Sequence, residues 1–131
     1  MNLVHAFHLI WYDGYMNIQH FEKDISYTES ERVLMARKIG KLATYCEKLQ
    51  DEDSFVRVET QQRETKKKED RVKVMLTVTL PKETLRAESR RENVIEAFDR
   101  AVEKLEPQIK RYKDEHTGRQ RAHRAGRRNA N

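Results

Sequence analysis

Hydrophobic and polar positions alternate in four stretches of the chain and recur every three or four residues in two others, the periods of strands and helices respectively. Met16 to Glu22 sets Met16, Ile18 and His20 against Asn17, Gln19 and Phe21, which predicts a half-buried strand. Thr28-Glu29-Ser30-Glu31 then has the form of a capping box: the Thr28 hydroxyl accepts a free backbone N–H while Glu31 reaches back to the cap. The helix it opens carries Met35, Ile39, Leu42, Cys46 and Leu49 on one stripe, widened by Leu34 and Tyr45. Asp51-Glu52-Asp53 ends that pattern.

Period two returns from Ser54 to Gln62, where Val56, Val58 and Thr60 oppose Phe55, Arg57 and Glu59. It is clearest from Arg71 to Leu80, whose inward set is Val72, Val74, Leu76, Val78 and Leu80, and Pro81 closes it. Leu85 to Arg90 reads as a short last strand. Thr65 to Asp70 has no period and holds Lys66, Lys67 and Lys68, which suits a hairpin tip, either solvated or touching RNA. From Asn93 the period is 3.6, with Val94, Ile95, Phe98, Ala101, Val102, Leu105, Ile109 and Tyr112 on one broad stripe.

The order strand, helix, three strands, helix predicts an α+β fold of βαβββα type, a four-stranded mixed sheet. A crossover pairs the first strand in parallel with a later one, so both helices run antiparallel to the strands that precede them and parallel to each other. Because only one sheet face is apolar, both helices are expected on that face. The folded domain is placed at residues 16–115. Residues 1–15 are read as an extension, from a start placed upstream of the native one, and 116–131 as a disordered tail, since it has almost no large apolar group to bury.

Charge adds a direction to this picture. The net charge of +5 is unevenly spread: Asp51, Glu52, Asp53, Glu59, Glu64, Glu69 and Asp70 offset the lysines of the middle, while Arg119, Arg121, Arg124, Arg127 and Arg128 in the tail have no neighbouring carboxylate. At about 100° per residue, Arg37, Lys41 and Lys48 line one flank of the first helix, and Arg100, Lys104 and Arg111 the same flank of the second. On parallel helices, two such stripes are expected to form one positive track, extended by the tail. A polyanion is the implied partner.

Other chemistries find little support. Cys46 is the one cysteine and lies in the first helix's apolar stripe, so it is read as core, and a reducing cytoplasm is expected. The apolar opening from Leu3 to Tyr15 is broken by His5, His8, Asp13 and Gly14 and is shorter than the ~20 residues of a membrane span. His5 and His8 lack further ligands for a tetrahedral metal site. With no nucleophile–base pair or phosphate loop, neither an enzyme nor a cofactor is expected.

Lys38-Ile39-Gly40-Lys41-Leu42 in the first helix, with Glu92-Asn93-Val94-Ile95-Glu96-Ala97-Phe98-Asp99 and Val102-Glu103-Lys104-Leu105-Glu106-Pro107-Gln108-Ile109-Lys110 in the second, resembles the ribosome hibernation promoting factors. These are also described as ribosome-associated inhibitors and formerly as sigma-54 modulation proteins, and the resemblance runs from Met16 to about Lys113. It implies binding to the small ribosomal subunit and its rRNA in the channel used by mRNA and tRNA, steric inhibition of translation, and no small-molecule substrate or membrane. A monomer off the ribosome is expected. Carried over by position, Lys38, Lys41, Lys104, Lys110, Arg111 and Lys113 are the implied rRNA contacts, with Arg90 and Arg91 secondary. Pro107 departs from the family pattern and predicts a kink that redirects Lys110 to Lys113. The separate C-terminal domain with which long members pair ribosomes has no counterpart in these residues, so ribosome pairing by this chain is not expected.

Two rivals remain at this point. One is a general double-stranded-RNA-binding module, although Glu92-Asn93 stands where such a domain starts its second helix with lysines. The other is a protein-interaction regulator of a transcription factor, using Glu96, Asp99, Glu103 and Glu106.

Overall fold

The computed structural model describes residues 3–11, by their backbone pairing, and 15–116. Five strands form one sheet in the order β1 (Leu3–Trp11), β2 (Tyr15–Lys23), β3 (Phe55–Gln62), β4 (Val72–Leu80) and β5 (Glu83–Arg91). Only β2 and β3 pair in parallel, and α1 (Glu29–Ala43) is the crossover between them. The other pairs are antiparallel, and α2 (Val94–His116) follows β5. The expected βαβββα unit is therefore present in its expected order.

One strand was not expected. Leu3–Trp11 pairs antiparallel with β2 from Leu3 opposite Lys23 to Trp11 opposite Tyr15, so the sheet has five strands rather than four. Both alternating sets of this segment contain apolar residues, which obscures period two, and Asp13-Gly14 between two apolar runs is a strong hairpin signal. The tail beyond His116, with the disorder expected of it, lies outside the described residues.

The two sheet faces differ as the alternation requires. Met16, Ile18, Val56, Val58, Val74, Leu76, Val78, Leu85 and Ala87 turn toward the helices and are buried. Met35, Ile39 and Leu42 of α1 and Phe98, Ala101, Leu105 and Ile109 of α2 close the core over them, each with almost no exposed surface. The face also buries polar groups. Glu22 accepts from the Tyr27 backbone N–H at 3.2 Å and is 3.3 Å from the Arg32 guanidinium, while the Tyr27 hydroxyl is 2.6 Å from the Thr60 hydroxyl. Burial holds the Tyr27 phenol well above its usual pKa.

The Thr28 capping box forms as read, with the Glu31 N–H 3.1 Å from the Thr28 hydroxyl and the Thr28 N–H 2.8 Å from the Glu31 carboxylate. The helix stops sooner than its apolar stripe. Thr44 and Tyr45 turn their N–H groups to the Lys41 and Leu42 carbonyls, and the Thr44 hydroxyl also donates to Lys41 at 2.6 Å. Cys46 is then extended, and a 3₁₀ turn, Glu47–Gln50, returns Leu49 to the core. Burial raises the Cys46 thiol pKa, in keeping with a core residue. Leu34, read as part of the buried stripe, is 38% exposed.

Asn93 caps α2 by accepting the Glu96 N–H at 2.9 Å. The helix continues through Pro107, which is exposed on its outward side. Proline removes one backbone bond there without ending the helix. At its far end the Tyr112 hydroxyl donates to the Pro81 carbonyl at 2.9 Å, tying α2 to the β4–β5 turn, where Lys82 adopts a positive φ of 69°.

Candidate nucleic-acid interface

The helices run in the same direction, and their contacts occur in matching order. Lys38 of α1 meets Asp99 of α2 at 2.6 Å. Seven residues further on in each segment, the phenol of Tyr45, in the turn just past α1, donates to the Glu106 carboxylate of α2, which holds the tyrosine pKa up and the glutamate pKa down. Lys110 adds to this second rung, 3.4 Å from Glu106 and 4.6 Å from the Tyr45 ring centroid. The groove between the helices is lined by Lys38, Lys41, Tyr45, Asp99, Glu103 and Glu106, with Leu42 and Val102 at its floor. Thus Asp99 and Glu106, from the flank read as a protein-binding surface, are engaged within the domain, by Lys38 of α1 and by Tyr45 and Lys110.

The opposite flank of α2 lies along the outer edge of β5. Lys104 donates to the Glu88 carbonyl at 2.7 Å and Gln108 to the Arg86 carbonyl at 2.8 Å. Edge carbonyls that would otherwise face solvent are thereby capped. Arg100 is turned to Glu103 at 3.1 Å.

This arrangement corrects the expected continuous track. Arg37 and Lys41 are exposed on α1, Lys41 at the rim of the groove, while Lys104 of α2 is drawn to the β5 edge, and the groove carboxylates lie between them. The reason is that α2 meets α1 through its acidic flank. Lys48 also leaves the α1 stripe, because the helix ends at Ala43; it sits on the 3₁₀ turn, 3.9 Å from Asp51.

Among the described residues, Arg37, Lys41 and Arg111 are exposed and make no ion pair. Lys113 lies beside Lys48, Thr44 and Tyr45 where the two helices end. Arg90 projects from the helix-free face and pairs with Glu88 at 3.4 Å, so it does not join the helical residues. Arg91 turns back on the Arg90 carbonyl. Arg119, Arg121 and Arg124 lie outside the described residues.

Comparison with known proteins assigns the family. The family described as "Sigma 54 modulation protein / S30EA ribosomal protein" matches residues 18–117. The chain belongs to this family. The S30EA-type fold recurs in two solved structures. One is the N-terminal domain of Thermus thermophilus Protein Y, 23% identical with a TM-score of 0.57, covering 72% of this chain and 92% of that one. The other is a ribosomal subunit interface protein from Coxiella burnetii, 24% identical with a TM-score of 0.58, covering 73% and 96%. The resemblance read from the two helical segments is thus confirmed, and β1 precedes the matched range.

Two features of this family member escaped the sequence reading. Gln108 acts with Lys104 on the β5 edge, a role signalled only by their i,i+4 spacing on one flank. Glu83, Glu115 and His116 bring ligand-type atoms within 4.8 Å of one another at the end of α2. There His116 contacts the Tyr112 carbonyl at 3.0 Å through Nδ1 and stacks on the Tyr112 ring. Such partly exposed carboxylates beside one imidazole do not amount to a closed metal site.

Proposed function

We propose that this S30EA-family chain binds the small ribosomal subunit through rRNA phosphates and inhibits translation by occupying the channel that mRNA and tRNA use. The observation that carries the reading is the set of exposed cations that have no ion-pair partner among the described residues, Arg37 and Lys41 on α1 and Arg111 on α2, with Lys113 where the helices end. Cations left without carboxylates suit phosphate oxygens, whose counterions are released on contact. Family membership supports a ribosomal partner, and the fold is shared with a protein described as a ribosomal subunit interface protein.

The action is occupancy, without bond making, and it takes place in the cytoplasm with the protein monomeric off the ribosome. Lys38, Lys104 and Lys110 support the surface by holding the helices and the β5 edge in place. The protein-interaction rival loses ground because Asp99 is paired with Lys38 and Glu106 is engaged by Tyr45 and Lys110.

Sucrose-gradient sedimentation with purified small subunits tests this directly, together with a cell-free translation assay. Co-sedimentation at physiological salt and loss of translation are expected. Failure to co-sediment would overturn the reading, and binding to free RNA duplexes alone would favour the double-stranded-RNA rival.

A further inference from the structure

The face of the sheet away from the helices carries charge that the helix surface does not explain. Its side chains fall into rows across β2 to β5. The middle row places Phe21 and Met75 in line with Glu59 and Glu88. The rows on either side bring Arg57 and Arg86, and Lys23, Lys73 and Arg90. Five basic side chains thus share this face with two carboxylates.

Both carboxylates are already engaged. Glu59 lies 3.3 Å from the Arg57 guanidinium, and Glu88 sits between Lys73 at 3.5 Å and Arg90 at 3.4 Å. Lys73 and Arg90 are direct cross-strand partners, an arrangement that costs stability unless anionic charge is supplied. One glutamate is shared between them. Lys23 and Arg86 make no ion pair among the described residues.

The same face offers a stacking surface. The Arg57 guanidinium carbon lies 4.2 Å from the Phe21 ring centroid, and Glu59 fixes the other edge of that guanidinium. A guanidinium laid on a ring presents its outer plane to solvent, and such planes stack unpaired bases. Beside it, Phe21, Met75, Lys23, Lys73 and Gln61, with Glu59 between the two apolar side chains, line a shallow depression.

We propose that the helix-free face of the sheet is a second RNA surface that takes a single-stranded segment, its bases against Phe21, Arg57 and Met75 and its phosphates on Lys23, Lys73, Arg86 and Arg90. Excess positive charge on both sides of a row that holds Phe21 and Met75, its two glutamates already paired with basic neighbours, matches a chain with phosphates outside and bases inside. A duplex presents no unpaired base to such a row. The face is independent of the helical cations assigned to the ribosome, and it adds a separate partner to that reading.

The test uses the full chain and a fluorescein-labelled single-stranded RNA decamer containing 4-thiouridine. Anisotropy titrations compare the wild type with Arg57→Glu/Arg86→Glu and, separately, Phe21→Leu. A melting curve measured by circular dichroism checks that each variant folds. The double charge reversal should weaken decamer binding roughly tenfold or more, as expected from loss of one stacking contact and one phosphate contact. Photocrosslinks should map to the peptides of β2 and β4, and small-subunit co-sedimentation should be retained. Crosslinks confined to the helices or to residues 117–131, or affinity unchanged in folded variants, would overturn the proposal. Equal loss of decamer and small-subunit binding would also overturn it, by making this face part of the ribosomal contact.

Discussion

The Lys104 ammonium donates to the Glu88 backbone carbonyl at 2.7 Å, so a lysine that reads as a phosphate contact also caps the edge of the sheet. Its neighbour Arg111 on the same flank has no such partner among the described residues. Stability and binding should therefore separate between two residues that look equivalent in the sequence.

Lys104→Ala is expected to lower unfolding free energy by about 0.5–1 kcal/mol, the range for one partly exposed hydrogen bond. Lys41→Glu with Arg111→Glu should leave urea unfolding within about 0.5 kcal/mol per site and remove small-subunit co-sedimentation. Normal co-sedimentation by the folded double variant would show that these rows are solvated surface.

Leu105 is fully buried at the centre of α2. Leu105→Ala should cost about 2–5 kcal/mol through lost transfer energy and the cavity left behind, read as a lower thermal midpoint. Residual folded protein should still bind small subunits.

The Tyr45–Glu106 rung gives a signed pH dependence. Glu106 titrates below its usual 4.5 in the folded protein, because it accepts from Tyr45 and lies near Lys110. Its contribution is therefore present above 4.5 and lost as pH falls through the depressed folded value. Tyr45 titrates above its usual 10.0, chiefly through the same bond, so its contribution is present below 10.0 and lost as pH rises through the raised folded value. Tyr45→Phe should flatten the dependence of the urea midpoint on pH at both ends, and NMR titration should move the Glu106 pKa back toward 4.5. An unchanged Glu106 titration would exclude the bond.

Salt should weaken ribosome binding steeply. Each phosphate contact removed should reduce the slope of log affinity against log salt by about 0.7–0.9, so Lys41→Ala/Arg111→Ala should be shallower by roughly twice that. Ending the chain at His116, the last residue of α2, removes Arg119, Arg121, Arg124, Arg127 and Arg128. That truncation should leave the melt unchanged, lower affinity and salt slope, and keep the rRNA footprint of the body. A shifted footprint would mean that the tail selects the site.

The main elements were legible because each states its period strongly: β4 alternates over nine residues, and Thr28-Glu31 marks the start of α1. Three things were not. The end of α1 depends on Thr44 turning its hydroxyl to Lys41, while the apolar spacing continues past it to Leu49. β1 lacks a polar face, so alternation could not announce it. The partners of the candidate cations are set by tertiary packing: Lys38 and Lys41 are three residues apart, yet one meets Asp99 and the other faces solvent. Helical periodicity gives the flank of a residue but not what the neighbouring helix brings to it.

Parallel alignment of α1 and α2 also adds their macrodipoles, which antiparallel neighbours would cancel. Both N-terminal ends, with Glu29, Glu31 and Glu96 in their first turns, lie at one end of the molecule, where acidic side chains offset the positive ends of the two dipoles. At the other end Lys41 stands in the last turn of α1, and Lys113 in the last turn of α2 is accompanied by Asp114 and Glu115. Two negative half charges therefore meet where Lys41 and Lys113 stand, and a lysine at that end favours both helices at once.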